Sequence, residues 1–179
     1  MLYGRSPSSE HPLPLSLPDI LSAIKSFKSG FTIGEGKNIA GYIHVRDLAR
    51  MYFLLLASAL NPKPAQTSAL PHDIWGPQAY YFATAEDLSF KDYMTMIVKV
   101  LHGLGVVETT DLQQINTSGA VKDDGSLVGV PPPDFWAPYI PIMFGFNMRA
   151  RSTRARALGW QPVAPKVEET LEDVLKASL

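Results

Sequence analysis

Gly41-Tyr42-Ile43-His44-Val45-Arg46-Asp47-Leu48-Ala49 is the stretch that decides the fold, and Ile33-Gly34-Glu35-Gly36-Lys37-Asn38 stands just before it. Ile39 to Val45 is rich in β-branched and aromatic residues and reads as a strand. From about Leu48 to Leu60 the spacing turns helical, with Leu48, Met51, Tyr52, Leu55 and Leu56 suited to a buried stripe. Asp47 is placed to cap or enter that helix. The glycines predict a hairpin turn between strands Phe31–Ile33 and Ile39–Val45, where they supply positive φ.

Upstream, Met1 to Arg5 reads as the end of a strand followed by its turn. A strand that ends so early is expected to have its neighbours in a longer chain, so the sequence reads as a fragment, a truncated product or an alternative start. Pro18-Asp19 opens a helix with Ile20, Leu21, Ile24 and Phe27 on one face and Gly30 as its expected C-cap. Downstream, Asn61 to Gln78 is loop, Ala79 to Ala83 is a short aromatic strand, and Ser89 caps a helix from Phe90 to Leu104. Asp123-Asp124-Gly125 is a turn, and Pro131-Pro132-Pro133 is a stiff spacer. Ser152 is placed to cap a short helix ending at Gly159, and a last helix runs from about Lys166 to Ala177.

The 179 residues suffice for one unit, and 46% hydrophobic with 18% charged residues predicts a buried core. A net charge of -1 offers no electrostatic grip on nucleic acid or anionic lipid. The absence of cysteine excludes disulfides and zinc–thiolate sites and fits a reducing, cytoplasmic setting. No window approaches the roughly 20 apolar residues of a membrane span, and the N-terminal apolar stretch is too broken for a signal peptide.

A second motif lies near the other end: Arg154-Ala155-Arg156-Ala157-Leu158-Gly159-Trp160-Gln161-Pro162, then Pro165 and the acidic helix from Glu168 to Val174. The aromatic-Ile-His-Val-x-Asp-Leu-Ala run and this Leu-Gly-Trp-x-Pro run, in this order and separation, resemble the back half of an extended short-chain dehydrogenase/reductase. That is the NAD-dependent epimerase/dehydratase superfamily, and the nearest likeness is to its fungal-type branch. The likeness runs from Tyr3-Gly4 to the last helix. It implies an α/β fold, with a partial Rossmann-type parallel sheet and a mainly helical substrate-binding lobe over residues 1–179.

In such relatives hydride passes between a small carbonyl or hydroxyl substrate and NAD or NADP. A Tyr-x-x-x-Lys pair handles the proton. None of the seven tyrosines here has Lys four residues on, and Tyr42 has Arg46 at that spacing. No Gly-x-Gly-x-x-Gly follows a strand and opens a helix, as a pyrophosphate cradle requires. Hence no catalytic and no cofactor-binding residue is expected, and the chain alone is expected neither to hold the dinucleotide nor to turn over substrate.

Substrate-binding equipment remains. The resemblance implies that Tyr42, Arg149 and Arg151 belong to the substrate-binding part, one of the two arginines meeting a substrate charge; a solvated surface role for both arginines is the alternative. The family's diphosphate-holding Arg, two residues before the motif Tyr, is Ala40 here, which argues against a nucleoside-diphosphate sugar. His44, flanked by Ile43 and Val45, reads as a strand residue satisfied by backbone or Asp47 rather than a general base. Trp160 reads as a wedge between the last helices and the sheet. Phe135, Trp136, Tyr139, Phe144 and Phe146 read as core or as a pocket lining. A non-catalytic binding or regulatory module, associating through the surface a missing half would leave, is the other reading of the whole chain.

Overall fold

The computed structural model describes residues 1–60, 74–115 and 144–179. They form a mixed α/β unit. In chain order the elements are β1 (Leu2–Tyr3), α1 (Leu17–Phe27), β2 (Gly30–Ile33), β3 (Ile39–His44), α2 (Val45–Leu60), β4 (Glu86–Ser89), α3 (Phe90–Gly103), β5 (Leu112–Ile115), α4 (Thr153–Ala157) and α5 (Val167–Lys176).

Two small sheets result. β3 is the hub of the first: its C-terminal end pairs in parallel with β1, Leu2 opposite Ile43 and Tyr3 opposite His44. Its N-terminal part pairs antiparallel with β4, from Ile39 opposite Ser89 to Tyr42 opposite Glu86. Met148 joins β1's edge of β3 through a parallel bridge to Ala40, with Gly41 N–H donating to Met148 O and Met148 N–H to Ile39 O. The second sheet is β2 parallel to β5, Gly30 to Ile33 against Leu112 to Ile115.

The expected hairpin is therefore corrected. β2 and β3 do not pair; they belong to different sheets. All four residues of β2 are buried, so this strand needs covers on both faces, and a parallel partner with α3 beside it supplies them. The glycine conformation was legible: Gly34 and Gly36 both have positive φ, 57° and 67°. Their N–H groups are spent inside the fold, on Ile115 O and Ile33 O.

Helix ends follow local chemistry. At α3 the Ser89 hydroxyl accepts from Asp92 N–H at 3.0 Å and donates to the Asp92 carboxylate at 2.7 Å, the expected cap. At α1 the left-handed residue is Lys28 (φ 55°), not Gly30. Gly30 instead opens β2, where a Cβ would stand 2.4 Å from Leu112 and 2.5 Å from Val98. The expected aromatic strand 79–83 is absent; the strand is Glu86–Ser89, three residues beyond it. β3's free N-terminal edge takes whichever segment presents the matching backbone, and aromatic content did not mark it.

The main core joins α1, β2, β3, α3 and α5, with Ile20, Ile24, Phe31, Tyr42, Met94, Ile97, Leu101 and Leu175 among its most buried members. Phe144 belongs to this core, its ring 5.0 Å from Phe90, while Phe146 is exposed. The other three aromatics of that run, Phe135, Trp136 and Tyr139, lie outside the described residues. A second, smaller core holds Ile43, Met51, Ala155 and Trp160.

Candidate functional site

The two sequence motifs, more than a hundred positions apart, are bonded to each other. Asp47 is buried in the first turn of α2. Its carboxylate accepts Val163 N–H at 3.1 Å and Ala164 N–H at 3.0 Å. The indole N–H of Trp160 donates to the Asp47 carbonyl at 2.9 Å. Asp47 is thus a latch for the segment after Trp160 rather than a helix cap. Trp160 packs on Ile43, Met51 and Ala155, so it wedges α4 against β3 and α2.

One ring nitrogen of His44 is satisfied by backbone. Arg46 N–H donates to its Nδ1 at 3.1 Å, and the Tyr3 ring meets the imidazole edge-on at 5.2 Å. Gly4, at φ 81°, lies so close that a Cβ there would stand 2.3 Å from His44 Nε2. Burial, then the Arg46 charge, holds the imidazole pKa below its ordinary value, against a smaller opposing pull from Asp47.

Beside this latch opens a cleft of about 300 Å³. One wall is the approach to β4, Thr84 to Asp87; the other is Ala150 to Thr153, with Arg156 from α4. The walls are riveted at the floor. Thr84 N–H donates to the Ser152 hydroxyl at 2.8 Å, and that hydroxyl donates to Thr84 O at 2.7 Å. The Thr84 hydroxyl donates to Ala150 O at 3.1 Å. Ser152 therefore serves the cleft and gives α4 no side-chain cap. Gly41 lets Thr84 come this close, since a Cβ would meet its methyl at 2.6 Å.

The cleft carries both signs of charge. Arg151 and Arg156 supply guanidinium groups, and the Arg156 group lies 5.9 Å from the Trp160 ring centre. Glu86 and Asp87 supply carboxylates. Glu86 is engaged at α5, where its Oε1 accepts Val167 N–H at 2.9 Å, and its charge adds to burial in raising the Tyr3 phenol.

Of the three residues expected in the substrate-binding part, only Arg151 lines this cleft. Arg149 is exposed beyond its lining. Tyr42 is 2% exposed and lies in the main core, its ring 5.1 Å from Tyr93. Burial drives its phenol far above the ordinary range. Its side chain is a packing element; the backbone carbonyl, which accepts Ala85 N–H at 2.7 Å, is what positions the cleft wall. Arg156 and Thr84 were missed, because their role depends on a pairing across some seventy residues that no local pattern announces.

A larger groove of about 330 Å³ lies between α3 and α5, floored by Met96, Val100 and Leu171. It is a helix–helix crevice that the acidic helix of the second motif lines through Glu168, Leu171 and Glu172, and the first motif does not reach it.

The turn at Gly34 and Gly36 is not a pyrophosphate cradle. A pyrophosphate cradle needs free backbone N–H groups at a helix start, whereas those of Gly34 and Gly36 are bonded within the fold, between β2 and β3. Among the described residues there is also no cluster of His, Cys, Asp and Glu able to hold a metal, and no helix long and apolar enough to cross a membrane.

The chain is similar to the oxidase ucsJ of Acremonium sp., with 23% identity over 146 residues, which is 80% of this chain and 38% of that oxidase. It thus spans well under half the length of the curated relative it matches. No family model matches the chain. The likeness is to an oxidoreductase.

Proposed function

We propose that this chain is the substrate-binding part of an NAD(P)-dependent oxidoreductase of the extended short-chain type, and that the Thr84–Asp87/Ala150–Arg156 cleft receives the substrate. The observation that carries the reading is the union of the two motifs. Asp47 and Trp160 bind them together, and the cleft opens beside that joint. The oxidase likeness supports the reaction class.

The substrate is a small carbonyl or hydroxyl compound with an anionic group. Arg151 and Arg156 meet the anion by charge-assisted hydrogen bonds, and the carboxylates of Glu86 and Asp87 accept from hydroxyls. The chain's own contribution is binding and orientation; hydride and proton chemistry belong to a dinucleotide and an acid–base pair held elsewhere. Titration calorimetry of the purified chain with NADH and NADPH tests this. No heat from either dinucleotide is expected, together with heat from small hydroxy- or keto-carboxylates. Dinucleotide turnover by the chain alone would overturn it.

A second reading, a non-catalytic binding or regulatory module, draws on a different feature: the outward side of α2 is apolar and exposed. It predicts no small-molecule heat at the cleft.

A further inference from the structure

α2 has two faces of opposite character. Asp47, Leu48, Met51, Leu54, Leu55 and Ser58 turn inward, buried or partly so. Arg46, Ala49, Phe53, Leu56 and Leu60 turn outward, all exposed, at alternating steps of three and four. That spacing is the seam of a helix seeking another helix. The exposure is large: Phe53 is 73% exposed, Leu60 72%, Leu56 56%, and Tyr52 beside them 65%. No charged residue follows Arg50 to the end of the helix. An apolar patch of this length is not a surface shaped by water alone.

We propose that this face binds the same face of a second copy of the chain, the two α2 helices running antiparallel about a twofold axis near Phe53. The charges favour this occupant. Arg46 sits in the first turn, at the positive end of its own helix dipole, where it gains nothing, while the last turn of α2 has no basic residue. Antiparallel pairing carries Arg46 to the level of the partner's Leu60, so each helix supplies a cation to the other's last turn, which has no basic residue of its own. The sizes agree as well: Leu56 comes level with the small Ala49 and the stem of Arg50, and Phe53 meets its own copy at the axis. A contact of this kind is isologous and closes as a dimer.

Sedimentation equilibrium on the full chain across the micromolar range tests it. A dimer is expected. Phe53→Glu or Leu56→Glu weakens it on the order of 30-fold or more, as loss of a central apolar anchor does. The Arg46→Ala, Arg50→Ala double variant weakens it about 3- to 10-fold and removes most of its salt dependence. Leu15→Glu, at an exposed residue ahead of α1, leaves it unchanged. Unchanged circular dichroism confirms that each variant folds. A monomer throughout, a dimer indifferent to the α2 substitutions, or open-ended aggregation would overturn the proposal. So would a monomer that forms a one-to-one complex with a different α/β polypeptide through α2.

Discussion

Asp47 holds the two ends of the site together with a single carboxylate. Removing it as Asp47→Ala leaves the N–H groups of Val163 and Ala164 without their acceptor. Hydrogen bonds to a charged group are worth about 1.5–3 kcal/mol each, so a loss of about 3–6 kcal/mol is expected in urea unfolding. His44 gives a pH signature. Its folded pKa lies below the unfolded value of 6.5, so the unfolded chain takes up a proton that the folded chain refuses. Its contribution is complete above 6.5 and is lost as pH falls from there through the folded value. His44→Gln should flatten the fall in unfolding free energy in that window; an unaltered slope would show that the imidazole is not the group responsible. At the cleft the two candidate arginines part ways. Arg151→Ala should weaken an anionic ligand about 10-fold or more, one charge-assisted hydrogen bond's worth, and Arg149→Ala should leave it nearly unchanged.

Elements were legible where their signals are local. The Ser89 cap, the start of α3, the positive φ at Gly34 and Gly36, and the last helix near Val167–Lys176 are each written within a few residues. Pairing was not. The turn after Ile33 suggested a hairpin, yet β2 reaches β5 some eighty residues later, and β3 takes β1, β4 and Met148 as neighbours. Strand partners are chosen by what covers a buried face, and sequence proximity does not report that. The helix pair α3 and α5 closes the core from one side through Leu171, Val174 and Leu175. Leu171→Ala should cost about 2–4 kcal/mol by cavity formation, against about 1 kcal/mol for Ser89→Ala at the cap, both measured by denaturant unfolding.

At the scale of the molecule, the described residues divide the work between two cores. The larger one builds the α/β body, and the smaller one, around Trp160, fastens the C-terminal motif onto β3 and α2. The candidate site was half visible beforehand: both motifs, with Arg156 in the second, and Arg151 could be read, while Thr84 and the place of Ser152 and Arg156 at the cleft emerged only through the pairing of distant segments. Tyr42 illustrates the opposite case, a motif residue whose side chain the core absorbed. The most direct test of the cleft's role is a backbone-amide NMR titration of the isolated chain with small hydroxy- and keto-carboxylates, with no dinucleotide added. Shifts concentrated at Thr84–Asp87 and Ala150–Arg156, and lost in Arg151→Ala, are the expected result. Shifts that avoid these residues, or that NADH alone produces around Gly34–Gly36, would contradict the assignment of this chain as a substrate-binding part without a dinucleotide site.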